Sequence, residues 1–270
     1  MPIQTIEPRR LYRQIADQLR GLVERGEYAI GSRLPTEREL ALQLGVSRPS
    51  VREALIALEV EGIVEVRMGS GIYVRGVVPG APMRAHIGEG PLETIRARQL
   101  IEAELAANAA RQMKKAQIAG LREALVLMQE DVAAGQMPTR GDRLFHLRIA
   151  EASQNSVLQR VVAQLYDERH NPLFEQLGSH FETAASWTKA IDEHRAVIEA
   201  IAAHSPEAAR EAMATHLSRS HDRFTVSIAS TQEGIHRRGA ENAEGRREKK
   251  AAEKKAAKPL RPSAPSAPLR

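Results

Sequence analysis

The chain contains no cysteine in its 270 residues, which excludes a disulfide framework and a thiolate metal site together. Aromatic residues are scarce at 3%, while alanine and leucine are plentiful, a balance that favours helix packed on helix over a β-sandwich. No apolar run approaches the roughly 20 residues needed to cross a bilayer, and Met1-Pro2-Ile3-Gln4 opens no signal-peptide hydrophobic region. These absences predict a soluble cytoplasmic protein with no membrane partner. Length allows two domains, each expected to have its own core.

Positive charge is present but unevenly placed. Residues 237–270 hold 11 Lys/Arg against 4 Asp/Glu, so that segment carries +7 of a net +5 and the remaining 236 residues sum to −2. The high pI therefore belongs to a Lys/Pro/Ser/Ala-rich tail with little to bury, expected to be disordered over residues 234–270. Two readings of the tail stay open: a solvated extension, or added non-specific attraction to phosphates. Any case for DNA binding must rest on where individual arginines sit.

That case is strongest between residues 36 and 75. Thr36 followed by Glu39 is a capping box, so a short helix is predicted there with Leu40 and Leu44 inward, ended by Gly45. Ser47 can cap the next helix, Pro49 is tolerated in its first turn, and Val51, Leu55 and Leu58 recur at helical spacing. Its first turns present Ser47, Arg48, Ser50 and Arg52, side chains suited to phosphates and guanine edges. Leu11, Ile15, Leu19 and Leu22/Val23 mark a supporting helix before it. After Gly62, Ile63-Val64-Glu65-Val66 and Ile72-Tyr73-Val74 flank Met68-Gly69-Ser70-Gly71, the pattern of a hairpin. Three helices and a hairpin make a winged helix-turn-helix; the bland alternative is a small helical domain with a solvated arginine face.

A Gly/Pro-rich linker is expected over 77–91, after a head at 1–76. From residue 92 to about 233 the periodicity predicts an all-helical bundle, with helices at 95–113, 117–134, 140–152, 156–169, 184–203 and from 206 to about 229. The fold class is thus mainly α. Asp142 and His146 share one helix face, and His194 and His216 each line up with apolar neighbours on two further helices. Neutral imidazoles with a carboxylate suit zinc, nickel or manganese; isolated core histidines are the competing account. His86, His204, His221 and His236 are weaker candidates; for His170 and His180 a place facing a ligand pocket stays open, with surface exposure the default. Trp187 is expected in the core or a pocket wall. Arg98 and Glu102 can form an exposed i,i+4 pair, whereas an inward Arg96 or Arg98 is a natural carboxylate clamp.

With these residues in view, the chain resembles the GntR family of bacterial repressors, in the subgroup whose helical effector domain is called FCD after its fatty-acid-responsive member. The matching segments are Leu34-Pro35-Thr36-Glu37-Arg38-Glu39-Leu40-Ala41 and Val46-Ser47-Arg48-Pro49-Ser50-Val51-Arg52-Glu53-Ala54-Leu55. The resemblance implies DNA contacts from Arg38, Ser47, Arg48, Ser50 and Arg52, with Gly69 of the wing approaching the groove. Met68 cannot hydrogen-bond a base, so reading by the wing falls to Arg67 and backbone amides. It also implies a divalent metal on Asp142, His146, His194 and His216, whose open positions take an effector carboxylate, with Arg148 and Asn155 as wall residues. Shorter segments, among them Glu7-Pro8-Arg9-Arg10-Leu11-Tyr12, Arg96-Ala97-Arg98-Gln99-Leu100-Ile101-Glu102 and His170-Asn171-Pro172, are similar to the hexuronate-responsive members that govern galacturonate and glucuronate catabolism. The function this implies is a homodimeric repressor on a palindromic operator, released by a hexuronate. Three rivals stay open: response to a smaller hydroxy or keto acid such as lactate, pyruvate or gluconate; a metal-dependent lyase or hydrolase with a DNA-binding head; and an architectural DNA protein using the tail.

Overall fold

The structure is a computed structural model that describes residues 10–76 and 89–225. Helix α1 (Leu11–Glu24) buries Tyr12, Ile15, Leu19 and Val23 along one stripe. Helix α2 (Glu37–Leu44) starts at the expected capping box, in which Thr36 Oγ1 accepts from the Glu39 amide and the Thr36 amide donates to Glu39 Oε2 at 2.8 Å. Gly45, at φ 65°, closes it in the left-handed conformation that glycine adopts without strain. Helix α3 (Arg48–Val60) is capped by Ser47, which accepts from the Ser50 amide, with Pro49 in the first turn. Strands β1 (Val64–Arg67) and β2 (Gly71–Val74) pair antiparallel, Val64 opposite Val74 and Val66 opposite Ile72. Residue 33 bridges to Tyr73, so the α1–α2 connection lies along the hairpin.

The second part is helical: α4 (Pro91–Gln112), α5 (Lys115–Ala133), α6 (Thr139–Glu151), α7 (Ser156–Asp167), α8 (Pro172–Phe181), α9 (Ala184–Ala202) and α10 (Pro206–Thr225). Helix α8 is the one that periodicity did not predict. Asn171 caps it by accepting from the Phe174 amide at 2.8 Å, and Pro172 fills its first turn. Ten residues give too little periodic signal to register. Of the linker expected over 77–91, residues 77–88, with His86, lie outside the described residues, as do the end of the last predicted helix beyond residue 225 and the tail, with His236, while Pro91 already starts α4.

The expectation of one core per domain needs correction. The core built by α1, α2, α3 and the hairpin continues without a break through Leu92 and Ile95 of α4, Leu173, Phe174 and Leu177 of α8, and Phe224 of α10. A second core, centred on Leu121, Met128, Phe145, Val197 and Met213, fills the rest of the bundle. The cause lies in α3, where every residue from Val51 to Leu58 is buried. One helix face serves the head, and the other must be covered by something else.

Candidate DNA-reading head and metal centre

Caps and turns leave a basic tip on the head. Arg38, Ser47 and Arg48 are exposed, Ser50 is half-buried, and Ser47 and Ser50 share a hydroxyl hydrogen bond of 2.9 Å. On the wing, exposed Arg67 lies over the Tyr73 ring at 4.5 Å and pairs with Glu65 at 2.9 Å. Gly69 turns the hairpin at φ 75°. Arg52 differs from the expectation placed on it. It is 1% exposed, its Nε and Nη2 each lie 2.6 Å from the Glu37 carboxylate, its Nη1 donates to the Phe224 carbonyl, and its guanidinium lies 5.3 Å from the Phe181 ring centre. With head and bundle docked as here, the side chain turns no face to a groove, whereas Arg48 beside it does.

In the bundle, the residues expected as ligands converge. Asp142 and His146 of α6, His194 of α9 and His216 of α10 are all buried, and each offers a ligand atom within 4.8 Å of the others. Every imidazole has its Nδ1 engaged elsewhere: His146 with Glu102, His194 with the Ala190 carbonyl at 2.6 Å, and His216 with Glu193 at 3.0 Å. Nε2 of each ring is thereby left for the centre, the arrangement by which outer hydrogen bonds fix a metal-ligating histidine. Nε2 of His146 and of His194 is buried without a hydrogen-bond partner, although His194 Nε2 lies 2.9 Å from Asp142 Oδ1. Two atoms this close and yet out of line for a hydrogen bond suit ligands facing a common ion. Tyr166 donates to the other Asp142 oxygen at 2.6 Å. Glycine at 141 lets α6 approach α5, since a Cβ there would lie 2.8 Å from the Ala124 carbonyl.

Burial and pairing set the charge of each group in the cluster. Burial resists ionisation of Asp142, yet the imidazoles of His146 and His194 beside it hold its carboxyl well below the usual range. Burial likewise opposes charge on Glu102, but Arg98 and His146 outweigh it and bring the carboxyl to about 2. His216 is pushed well below the ordinary histidine value, first by burial and then by its neighbours His194 and His146, so it is neutral and able to ligate. Burial works against a charge on His146, and Glu102 overrides it. Glu102 is matched by Arg98 at 2.7 Å and Glu193 by Arg223 at 3.0 Å. Among the described residues Asp142 pairs with no arginine or lysine, only with the imidazoles of His146 and His194. A buried anion without one is costly, and a divalent ion among three imidazoles removes that cost. The cluster can hold a metal ion.

Beside it lies a cavity of about 20 Å³ whose wall includes Arg98, Asp142, His146, His216, Trp187, Ser220 and Arg223, closed by Phe181 and Phe224. Of the expected effector residues, only Arg98 reaches it; the guanidinium is buried over Tyr166, and Nη2 has no hydrogen-bond partner. The Arg98–Glu102 pair is therefore internal. Arg96 is exposed on the opposite side of α4. Arg148 turns away to the Gly120 carbonyl and toward Glu123 of α5, and exposed Asn155 is spent on capping α7. These three are not brought to the cavity. His180 is not at the surface either, since it pairs with Glu59 of α3 at 2.6 Å. Arg223, not among the expected residues, also lines the cavity, and its signal in the sequence is its place two turns after His216 on the same helix face. Trp187 is buried on the wall with its Nε1 unpartnered.

A winged helix-turn-helix joined to a helical bundle with an internal ligand centre defines a DNA-binding transcriptional regulator with a sensing domain. The chain belongs to the gntR family of bacterial regulatory proteins: that family's profile matches residues 11–74 and the FCD domain matches residues 93–219. It is 40% identical to the Exu regulon transcriptional regulator of Escherichia coli (strain K12), over 80% of this chain and 84% of that one. Identity is 38% to the Uxu operon transcriptional regulator of the same organism, over 77% and 84% of the two chains. It is 34% to its putative L-lactate dehydrogenase operon regulatory protein, over 78% and 85%. Among solved structures, Streptococcus agalactiae GntR is similar at 27% identity and a TM-score of 0.43, covering 78% of this chain and 99% of that one. These relatives are regulators rather than enzymes, and so is this chain; the lyase or hydrolase reading falls. Among the described residues no helix is long and apolar enough to cross a membrane.

Proposed function

We propose that the protein is a repressor of hexuronate catabolism genes, acting as a homodimer on a palindromic operator and released when a hexuronate occupies the cavity beside the Asp142/His146/His194/His216 centre. The observation that carries this reading is the buried donor set: imidazole Nε2 atoms without partners stand beside a wall holding the unpartnered Arg98 Nη2. Zinc best suits three imidazoles and a carboxylate, and when bound it supplies a Lewis-acid anchor for carboxylate or hydroxyl oxygens. Arg98 then donates to the same carboxylate. Trp187 Nε1, a donor only, selects a further acceptor such as a sugar hydroxyl. All the unpartnered atoms around the cavity are donors or metal-facing nitrogens, which suits an oxygen-rich anion.

A cavity of about 20 Å³ holds roughly one water, so a six-carbon acid is accommodated only as Phe181, Phe224 or Trp187 shifts. That requirement gives a physical basis for coupling. The acid binds the arrangement with the walls moved more tightly than the closed one, and shifts the population by that difference and no more. Two-fold symmetry of the protein and of its operator imply one another.

The test is a thermal-shift panel of galacturonate, glucuronate, gluconate, lactate and pyruvate, each with zinc and with chelator. The reading requires a rise in Tm with a hexuronate that disappears on chelation. Stabilisation by lactate or pyruvate alone would move the effector to the smaller acids, a class also suggested by the likeness to the lactate operon protein. No stabilisation by any acid in the presence of zinc would sink both.

A further inference from the structure

We infer that a second, open cavity between α6 and α8 is the entrance to the candidate metal centre, and that Arg169 receives an incoming carboxylate there in exchange for Glu182. Given the effector site proposed above, on which this rests, Arg169 is the first buried cation an acid meets. The inner cavity beside Asp142 and His146 measures about 20 Å³ and holds roughly one water. The outer one measures about 320 Å³, within the ~300–1,000 Å³ of small-molecule sites. Met137 and Thr139 at the head of α6 form one side of it, and Gly178 and Ser179 of α8 form another. Arg169, in the turn Glu168–His170 that follows α7, lines both cavities together with Glu182, so their 2.6 Å ion pair is the partition between them. Tyr166 lines the outer cavity and donates to Asp142, which puts outer space and centre one side chain apart.

The two halves of the partition are held differently. The Arg169 guanidinium lies 5.9 Å from the Tyr166 ring centre, 4.9 Å from that of Phe174 and 5.6 Å from that of Trp187, so aromatic faces fix its place. Glu182 sits on extended backbone in the joint between α8 and α9, at φ −84° and ψ 127°, where a change of dihedral disturbs neither helix. Stranding a buried guanidinium without an anion is costly. A carboxylate in the outer cavity avoids that cost, because it takes the donors of Arg169 as Glu182 leaves and the charge stays paired throughout. Phe181, next to Glu182 in the chain, closes the inner cavity, so the same movement of the joint makes room beside the imidazoles. Selection follows from the exchange: an acid can make it and a neutral sugar cannot.

The experiment uses the full chain loaded with zinc. Trp187 is its only tryptophan and stands on the inner wall, so its fluorescence reports arrival. Gly178→Leu is the plug: a Cβ at position 178 meets only the Glu182 side chain, at 3.5 Å, an ordinary contact, and the rest of the leucine extends over the outer cavity. Gly178→Ala is the control, with a similar gain in helix propensity and little bulk. In stopped-flow mixing with galacturonate, Gly178→Leu should slow association and dissociation alike by about tenfold and keep calorimetric affinity within about twofold, because a residue on the way in alters both rates and not their ratio. Gly178→Ala should match the parent. Glu182→Gln, which keeps the shape of the partition but loosens its hold on Arg169 and leaves more positive field for an anion, should speed association by about threefold or more. Unchanged rates in Gly178→Leu would overturn the entrance, and so would a weakened affinity at unchanged association, which would make the outer cavity the site itself. Association no faster in Glu182→Gln would remove the exchange at Arg169. If galacturonate neither binds the parent nor changes its fluorescence, the hexuronate reading fails separately, and acrylamide quenching of Trp187 decides the entrance. Quenching should fall in Gly178→Leu and not in Gly178→Ala; equal quenching in parent and both variants would overturn it.

Discussion

Glu53 offers a quantitative test of how head and bundle are joined. Helix α4 begins after Gly90, which has no side chain to cap it, and the cap comes instead from α3: Glu53 Oε1 accepts from the Leu92 amide at 2.8 Å. The fit is close enough that a Cβ at position 90 would lie 2.9 Å from that oxygen. Burial pushes the Glu53 carboxyl up from 4.5 to about 7; the Leu92 amide opposes the shift, and nearby Glu93 reinforces it. An acid whose pKa is raised on folding binds more protons folded than unfolded between those values, so its contribution is present at low pH and is lost as pH rises to about 7. The whole shift corresponds to about 3 kcal/mol, most of it between pH 5 and 8. Glu53→Gln keeps the accepting oxygen and removes the ionisation. In urea unfolding followed by circular dichroism at fixed pH values from 5 to 8, the parent should lose about 2 to 3 kcal/mol relative to Glu53→Gln across that window. Parallel profiles for the two proteins would refute the claim that a buried, protonatable carboxylate caps α4.

Three further outcomes are expected. Glu193→Gln or Glu102→Gln should lower zinc affinity about tenfold to a hundredfold in calorimetric titration, because each holds the Nδ1 of a ring in the candidate centre; unchanged affinity would remove the orienting role. Gly141→Ala should destabilise the bundle by about 1–3 kcal/mol in urea, because its methyl would press on the Ala124 carbonyl and on Met128 of α5; a neutral result would mean that α5 and α6 separate easily. Thr36→Ala should cost about 1 kcal/mol of stability through loss of the α2 cap, and a change near zero in the same assay would show that the cap adds nothing beyond water.

The elements of the head were legible because each is bounded by local chemistry: Thr36 with Glu39, Gly45, Ser47 with Pro49, and the Gly69 turn all act within a few residues of themselves. The four residues of the candidate metal centre were legible in part for a related reason: helical periodicity fixes which side chains face inward, and the family resemblance, rather than spacing, implied that they share an ion. Periodicity does not reveal which inward faces meet. Arg148 and Asn155 lie near Asp142 and His146 in the chain, yet one turns to α5 and the other caps its own helix. Arg223 and Trp187 reach the cavity from α10 and α9 across the bundle. Arg52 shows the limit most clearly. Its spacing from Arg48 suits a recognition helix, but burial depends on α8, ten residues whose pattern was too short to read.

The continuous core also constrains how any signal can move the heads. Leu92, Ile95, Leu173, Phe174, Leu177 and Phe224 belong to the same apolar cluster as the interior of the head. Swinging the head away as a free unit would return much of that surface to water, at about 1.5–3 kcal/mol for each large side chain fully exposed, on the order of 10 kcal/mol in all. Coupling between an effector and a second site is typically about 1–3 kcal/mol. An effector of ordinary strength therefore cannot detach the head, and it has two smaller motions to work with. One is a rotation of the α2–α3 turn, with Arg52 and Glu37 moving against the cavity wall. The other, in the proposed homodimer, is a change in how the two bundles pack, carried to the operator by heads that remain docked and act as rigid arms. Both keep the shared core intact, and both require the polar contacts of α3 with the bundle to survive in the operator-bound form. Hydrogen exchange at the Leu92 amide gives a direct reading of this: protection should persist when operator is added, and its loss would show that the heads undock after all.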